Sequence, residues 1–384
     1  MAAGQTAPLK GVRILDLSRL LPGPMCTAHL AAMGADVIKI EDPRVGDYAR
    51  DMGSFYDTVN RNKRSVAIDL KASEGRDAFL ALAGTADVIL EGFRPGVVES
   101  LGVDYPRVKT INPAIVYCSV SGYGQTGPYR LKSGHDINYL SIAGIINEIG
   151  AAGQPPVLCN IQIADVLGGA MSAAMGILAV LLRARQTGEG GYLDVAMTDC
   201  ALAHDVMPLM AYNEHGAAAE RGEDFLTGAL PWYNLYPTLD GRHVALGALE
   251  AKFWQVFCAE IDRPEWQDQP ADPEARRRIR HELTELFASR PLRHWVERFA
   301  DIDCCLTPVL TLEEAMQDPQ LIARRMFVRN GGRTGYAFPI RFDPPLDPMA
   351  RPAPALGQHT GEVFEEIGLV PPPGPARNAG SDKP

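Results

Sequence analysis

Through the first 200 residues the hydrophobic positions alternate between two rhythms. Short apolar runs rich in β-branched residues fall at 12–17, 35–40, 65–70, 86–91, 115–120 and 192–196, and each predicts a buried strand. Between them lie stretches of helical period. Residues 71–83 open with charged side chains and then place Phe79, Leu80 and Leu82 on one apolar face. Strands separated by helices predict an α/β fold with a parallel sheet.

Beyond about residue 220 the rhythm changes. Residues 233–239, the turn pair Asp240–Gly241 and residues 243–246 read as a hairpin, and helical patterns follow at 251–260, 273–289 and 291–300. A smaller α+β domain is expected at 225–330, after a large domain at 1–220. Residues 331–370 then form a return segment packing on the large domain. From Pro344 proline becomes dense, and residues 371–384 read as a mobile tail. The apolar stretch 166–182 carries three glycines and is at the lower limit for spanning a bilayer, so a buried helix is expected there rather than a membrane span.

Composition narrows the class. Hydrophobic residues make up 46% and charged residues 22%, which is globular rather than disordered composition. The net charge of -10 argues against general affinity for nucleic acid, though a local basic pocket for an anionic ligand remains compatible with it. Seven cysteines at 26, 118, 159, 200, 258, 304 and 305 show neither a CxxC pair nor a zinc spacing. The first residues carry no secretory pattern, so a cytoplasmic protein is expected.

In a parallel sheet flanked by helices, ligands bind beyond the carboxyl ends of the strands. The run 115–120 leads into SGYGQTGP and then a glycine-rich passage presenting His135 beside Asp136. A single loop histidine is ordinarily structural. Asp165 stands at the start of the long apolar segment, where an N-cap role worth about 1 kcal/mol would suffice to explain it. Gly168 and Gly169 weaken that bland reading, because each disfavours helix by roughly 1 kcal/mol and so implies a close backbone approach. GxSxG, GxxxxGK[ST] and HExxH are absent, and Pro22-Gly23-Pro24 is not a dinucleotide fingerprint. The residues alone therefore give an α/β enzyme candidate with a His/Asp pair.

The ordered motifs GVRILDLS, LPGP, MGADVIKIE, RNKRSVAIDLK, ADVILEGFRPGV, SGYGQTGP, GHDINY, ADVLGGA, GYLDVAM, DGRHVALGALE, DCCLTPV and LGQHTGEVFEEIGL span most of residues 10–369. This string resembles the family III CoA transferases and α-methylacyl-CoA racemases, and GHDINY is most similar to the racemase group. The resemblance implies an interlocked-ring homodimer, each subunit with a Rossmann-like large CoA-binding domain and a smaller domain. It implies an acyl-CoA thioester as substrate, so that coenzyme A enters with the substrate, without a prosthetic group or a metal. His135 and Asp165 match the acid-base pair, with His135 deprotonating the S thioester and Asp165 the R form through an enolate. Glu250 matches a small-domain glutamate that orients the histidine from the other subunit.

By the same resemblance CoA is held by Ile68, Asp69, Leu70 and Lys71, by Gly92, Phe93 and Arg94, and by Ser133, Gly134, Asp136, Ile137 and Asn138. The enolate oxygen is expected to meet the Asp136 amide and the helix amides near Asp165. Three departures stand out. Relatives often read I-E-R-P where this chain has Ile40-Glu41-Asp42-Pro43, leaving Arg44 or Lys39 to substitute for the arginine; an arginine common after RPG is Ser100; and an asparagine four positions before the aspartate is Ile161. The alternative reading is a CoA transferase with Asp165 as nucleophile, passing through an anhydride and then a thioester. A CoA-binding protein without turnover is a third.

Overall fold

The computed structural model describes residues 7–330, 332–343, 345–346 and 351–372. Most of the expected tail, from residue 373 on, lies outside the described residues.

Six strands form one sheet: β1 (Arg13–Asp16), β2 (Asp36–Glu41), β3 (Arg64–Ala67), β4 (Val88–Glu91), β5 (Val116–Ser121) and β6 (Gly191–Ala196). All pairings are parallel, in the order β3-β2-β1-β4-β5-β6. Each observed strand overlaps its expected run, though β3 ends at Ala67, three residues early, and β4 starts at Val88, two residues late; the α/β assignment stands. The apolar runs are continuous because helices cover both faces: β4 is buried at every position, as is β5. β6, at the edge, alternates exposed and half-buried residues before its buried end. The opposite edge, β3, is closed by the returning chain. There the Ser65 and Ala67 amides donate to His359 Nδ1 at 3.2 Å and to Thr360 Oγ1 at 3.1 Å, so an exposed edge is avoided.

The chain divides into two compact units. Among the described residues the first contains 7–143, 160–204 and those from 325 to 372, with a core in which Leu15, Ile38, Val66, Phe79, Ile89, Tyr117 and Phe364 pack together. A hairpin of β10 (Phe327–Asn330) and β11 (Arg333–Tyr336) also belongs to it. The second contains residues 144–159 and 205–324. Its sheet is antiparallel, with β7 (Tyr233–Pro237), β8 (His243–Gly247) and β9 (Leu306–Pro308) in that order. Trp232, Tyr236, Trp254, Phe257, Phe287 and Trp295 fill its core. Trp232 is 4% exposed and packs on Trp254 at 5.5 Å, so it is a core residue of this unit.

The long apolar segment is one continuous helical stretch, Ala164–Thr187, whose first eight residues, Ala164–Met171, are π-helical. By length and composition it could cross a membrane, and it is partly buried, with Ala173, Ala174, Ile177 and Leu181 inside and Met175 and Leu182 exposed.

Candidate active site

The parallel sheet gathers the loops that follow its strands at one edge, which is where the sequence placed the chemistry. Residues 68–71 follow β3, residues 92–94 follow β4, and residues 133–138 end the connection that leaves β5. Ile68 is buried, whereas Lys71 is exposed and Asp69, Leu70 and Arg94 are intermediate or exposed. A Cβ on Gly92 would make ordinary contact with Ser18 Cβ at 3.6 Å, so no clash demands glycine there.

His135 is the N-cap of the helix Asp136–Ile142, and its amide donates to Asn138 Oδ1 at 3.0 Å. Its ring is carried on an exposed residue. Gly122 and Gly134 are required here, because an added Cβ would meet Tyr139 at 2.2 and 2.7 Å respectively. The Tyr139 hydroxyl donates to the Gly134 carbonyl at 2.5 Å and so ties the glycine-rich passage to the helix. Burial and then the Asp165 charge push the Tyr139 phenol up to about 12, which marks the two side chains as neighbours.

Asp165 is not an N-cap. Ile163 holds that position, and Asp165 lies one residue inside the π-helical turn. Its amide donates to Asp136 Oδ1 at 3.0 Å, so the residue after His135 caps the turn that carries Asp165. That contact corrects the expected oxyanion donors. The Asp165 amide is taken by Asp136 and the Val166 amide by the Gln162 carbonyl at 2.9 Å, which leaves the Asp136 amide of the expected set. Burial, and second the Asp136 charge, push the Asp165 carboxyl up to about 7. A carboxyl in that position is divided between acid and base near neutrality, an arrangement suited to proton transfer in either direction.

The glycines after Asp165 answer to packing rather than to a ligand. A Cβ on Gly168 would lie 2.6 Å from the Met197 carbonyl oxygen, and one on Gly169 would lie 2.7 Å from Pro22 Cβ. Helices Pro22–Ala32 and Met197–His204 thus press on the π-helical turn from two sides. At its far end the Ser172 hydroxyl donates to the Leu167 carbonyl at 2.8 Å, and the Ser172 amide also reaches Leu167, the five-residue spacing of a π-turn.

Glu250 is the exposed N-cap of the helix Ala251–Glu260 in the second unit, and its carbonyl accepts from Phe253 at 3.0 Å. Of the two proposed nucleotide substitutes, Lys39 is excluded. Its side chain is fully buried and paired with Asp47 at 2.8 Å. Arg44 is half-exposed, near Asp42 at 3.0 Å and Asp69 at 3.4 Å.

A buried charged network that no periodicity announces lies at the loop after β1. Asp16 accepts from Lys63 Nζ at 3.0 Å and from Thr27 Oγ1 at 2.6 Å, and Lys63 also donates to Asn60 at 3.0 Å. Burial pushes the Asp16 carboxyl up, but Lys63, Lys39, Ser18 and Thr27 together hold it well below the usual range. Burial lowers Lys63 to about 8, against the attraction of Asp16. Glu91 ends β4, within the run 86–91 that predicts a strand. Burial pushes it up to about 7, although it accepts from the Phe93 amide at 2.7 Å and so closes the turn before Arg94.

Comparison with known proteins is consistent across sequence and structure. The model of the CoA-transferase family III matches residues 9–360. The human protein called alpha-methylacyl-CoA racemase is 31% identical over 370 residues, covering 94% of each chain. The succinate–glutarate CoA-transferase of Agrobacterium fabrum is also 31% identical, over 94% of this chain and 96% of its own. The crystal structure of a CAIB/BAIF family protein from Brucella suis superposes with a TM-score of 0.83 at 28% identity, covering 94% of this chain and 100% of that one. With the motifs, the sheet order and the family model in agreement over nearly the whole length, the chain belongs to the CoA-transferase family III.

Proposed function

We propose that the protein is an acyl-CoA racemase that interconverts R and S 2-methylacyl-CoA thioesters. The observation that carries this reading is the half-buried Asp165 carboxyl, held near neutrality by burial and by Asp136, on a turn capped by the residue next to His135. Inverting a stereocentre by proton transfer requires one group to take the α-proton from one face and a second to return a proton to the other. A carboxyl poised near 7 can serve in either role, and a histidine is the complementary partner. His135 removes the proton of the S thioester while Asp165 supplies one, and the roles reverse for R. The Asp136 amide faces the developing enolate oxygen. The CoA moiety is bound by the loops after β3 and β4 and by residues 133–138, including Lys71 and Arg94.

A transferase would use the ionised Asp165 as a nucleophile, and a carboxyl pushed up to about 7 is only partly ionised at neutral pH, whereas proton transfer uses both of its forms. The equal identity to a racemase and to a transferase keeps that second reading in view. Incubating the protein with a 2-methylacyl-CoA in D2O decides between them. We expect deuterium at the α-carbon, lost in D165N and H135A. Transfer of labelled CoA to a free carboxylic acid, with hydroxylamine trapping at Asp165 and no α-exchange, would overturn the racemase reading.

We further propose that the working form is a homodimer, in which Glu250 of one subunit orients His135 of the other. Each unit exposes large apolar side chains. Met171, Met175, Leu182 and Leu202 do so in the first, and Leu158, Val206, Leu209 and Tyr212 in the second.

A further inference from the structure

The loop between β1 and the helix Pro22–Ala32 is held in a conformation its own residues would not choose. Leu20 has φ of 62°, in the left-handed region that disfavours any residue with a side chain by roughly 1–2 kcal/mol. Buried charges hold it there. The Leu20 amide donates to Asp47 Oδ1 at 3.1 Å, Lys39 Nζ donates to the Ser18 carbonyl at 2.9 Å, and the Ser18 amide donates to Asp16 Oδ1 at 3.0 Å. All three charged groups are 1% exposed or less. Burying ionised groups is unfavourable unless they are paired, so spending three of them on one short loop indicates that its shape matters.

What the loop presents is Arg19. Its guanidinium carbon lies 5.2 Å from the Tyr48 ring centroid and 5.3 Å from that of Phe93, and Nη1 donates to the Tyr48 hydroxyl at 3.2 Å. Two rings and a hydroxyl orient the cation without neutralising it. The position is also informative. Strand order reverses between β1 and β4, whose ends are joined by the Leu17 amide donating to the Leu90 carbonyl at 2.8 Å. This is the crevice where sheets of this order take phosphate-bearing ligands. Arg19, Tyr48 and Phe93 follow β1, β2 and β4, whereas His135 and Asp165 lie between β5 and β6 in the chain. Both sets of residues lie beyond the carboxyl ends of the sheet strands, so an extended thioester held along that end of the sheet passes the crevice that presents Arg19.

We propose that Arg19 is a further binding residue for the CoA thioester, donating its planar fork to phosphate oxygens of the CoA moiety. The inference rests on the CoA-ester reading, but not on whether the reaction is racemisation or transfer. The shared chemistry is an anionic oxygen pair, which a carboxylate at the end of an acyl chain would also offer. Calorimetric titration of the full-length protein with CoA, butyryl-CoA and succinyl-CoA separates the two. In R19Q, affinity should fall about tenfold for all three ligands, with R19K recovering only part of it because the fork is lost. A loss confined to succinyl-CoA would overturn the phosphate assignment in favour of an acyl carboxylate. Unchanged CoA affinity in R19Q, with an unchanged circular dichroism spectrum, would overturn the proposal while leaving the proposed reaction intact. Failure of the unmodified protein to bind CoA at all would remove both.

Discussion

Asp136 carries more than its place in the motif suggested. The residue was expected to contribute a backbone amide, and its side chain also caps the turn that bears Asp165, at 3.0 Å. Asn at this position would keep an oxygen for the Asp165 amide while removing the charge that helps raise the Asp165 carboxyl. The sign follows from the pair. If the protein racemises as proposed, turnover in either direction needs one proton shared between His135 and Asp165, so both directions share one bell-shaped pH profile. With Asp165 pushed up to about 7, its ionisation enters that profile near neutrality. D136N should move that ionisation to lower pH yet leave it above the ordinary carboxylate range, because burial, the larger cause, remains. The profile of kcat/KM against pH checks this, and an unmoved limb would separate Asp136 from Asp165. His135 and Asp165 were legible in the sequence as a motif match. The coupling to Asp136 was not, because 29 residues separate the partners and only the fold brings them together.

At the scale of elements, the π-helical turn shows how packing sets the register of Asp165. Gly168 offers the Met197 carbonyl a distance that no Cβ would survive, so G168A should destabilise the protein by roughly 1–3 kcal/mol and lower activity beyond the loss of folded protein. Urea denaturation alongside activity per folded molecule checks both parts. The glycine pair was readable as a demand for close approach, but its partner was not, since periodicity cannot tell a neighbouring helix from a ligand. The charges beneath the β1 loop make a second case. D16N or K63M alone should destabilise by about 3–5 kcal/mol, since each strands a buried charge, whereas the double variant D16N/K63M should be less damaging than the two losses added. A double-mutant cycle by chemical denaturation measures that difference. The six strands were visible as apolar runs because a parallel sheet buries both faces. The charges at their ends carry no periodicity, and so Asp16, Lys39 and Lys63 read as ordinary polar positions.

For the whole molecule, the exposed apolar residues on both units predict self-association. Light scattering should give twice the 41.6 kDa chain mass, and M175K combined with L209K should shift the protein toward monomer with loss of activity. A fully active monomer would contradict the dimeric reading.

The sequence by itself determined the α/β class, the six parallel strands, the hairpin of the second unit and the family, because these rest on local periodicity and on ordered motifs that survive without coordinates. Tertiary structure decided what depends on residues distant along the chain. It placed Asp165 inside a π-turn capped by Asp136, buried Lys39 in an ion pair, enclosed Trp232 in a core, and set Arg19 between two rings on a strained loop. The physical reason is the same in each case. Burial, charge coupling and backbone strain belong to a residue's surroundings, and the fold assembles those surroundings from segments that no single window of sequence contains.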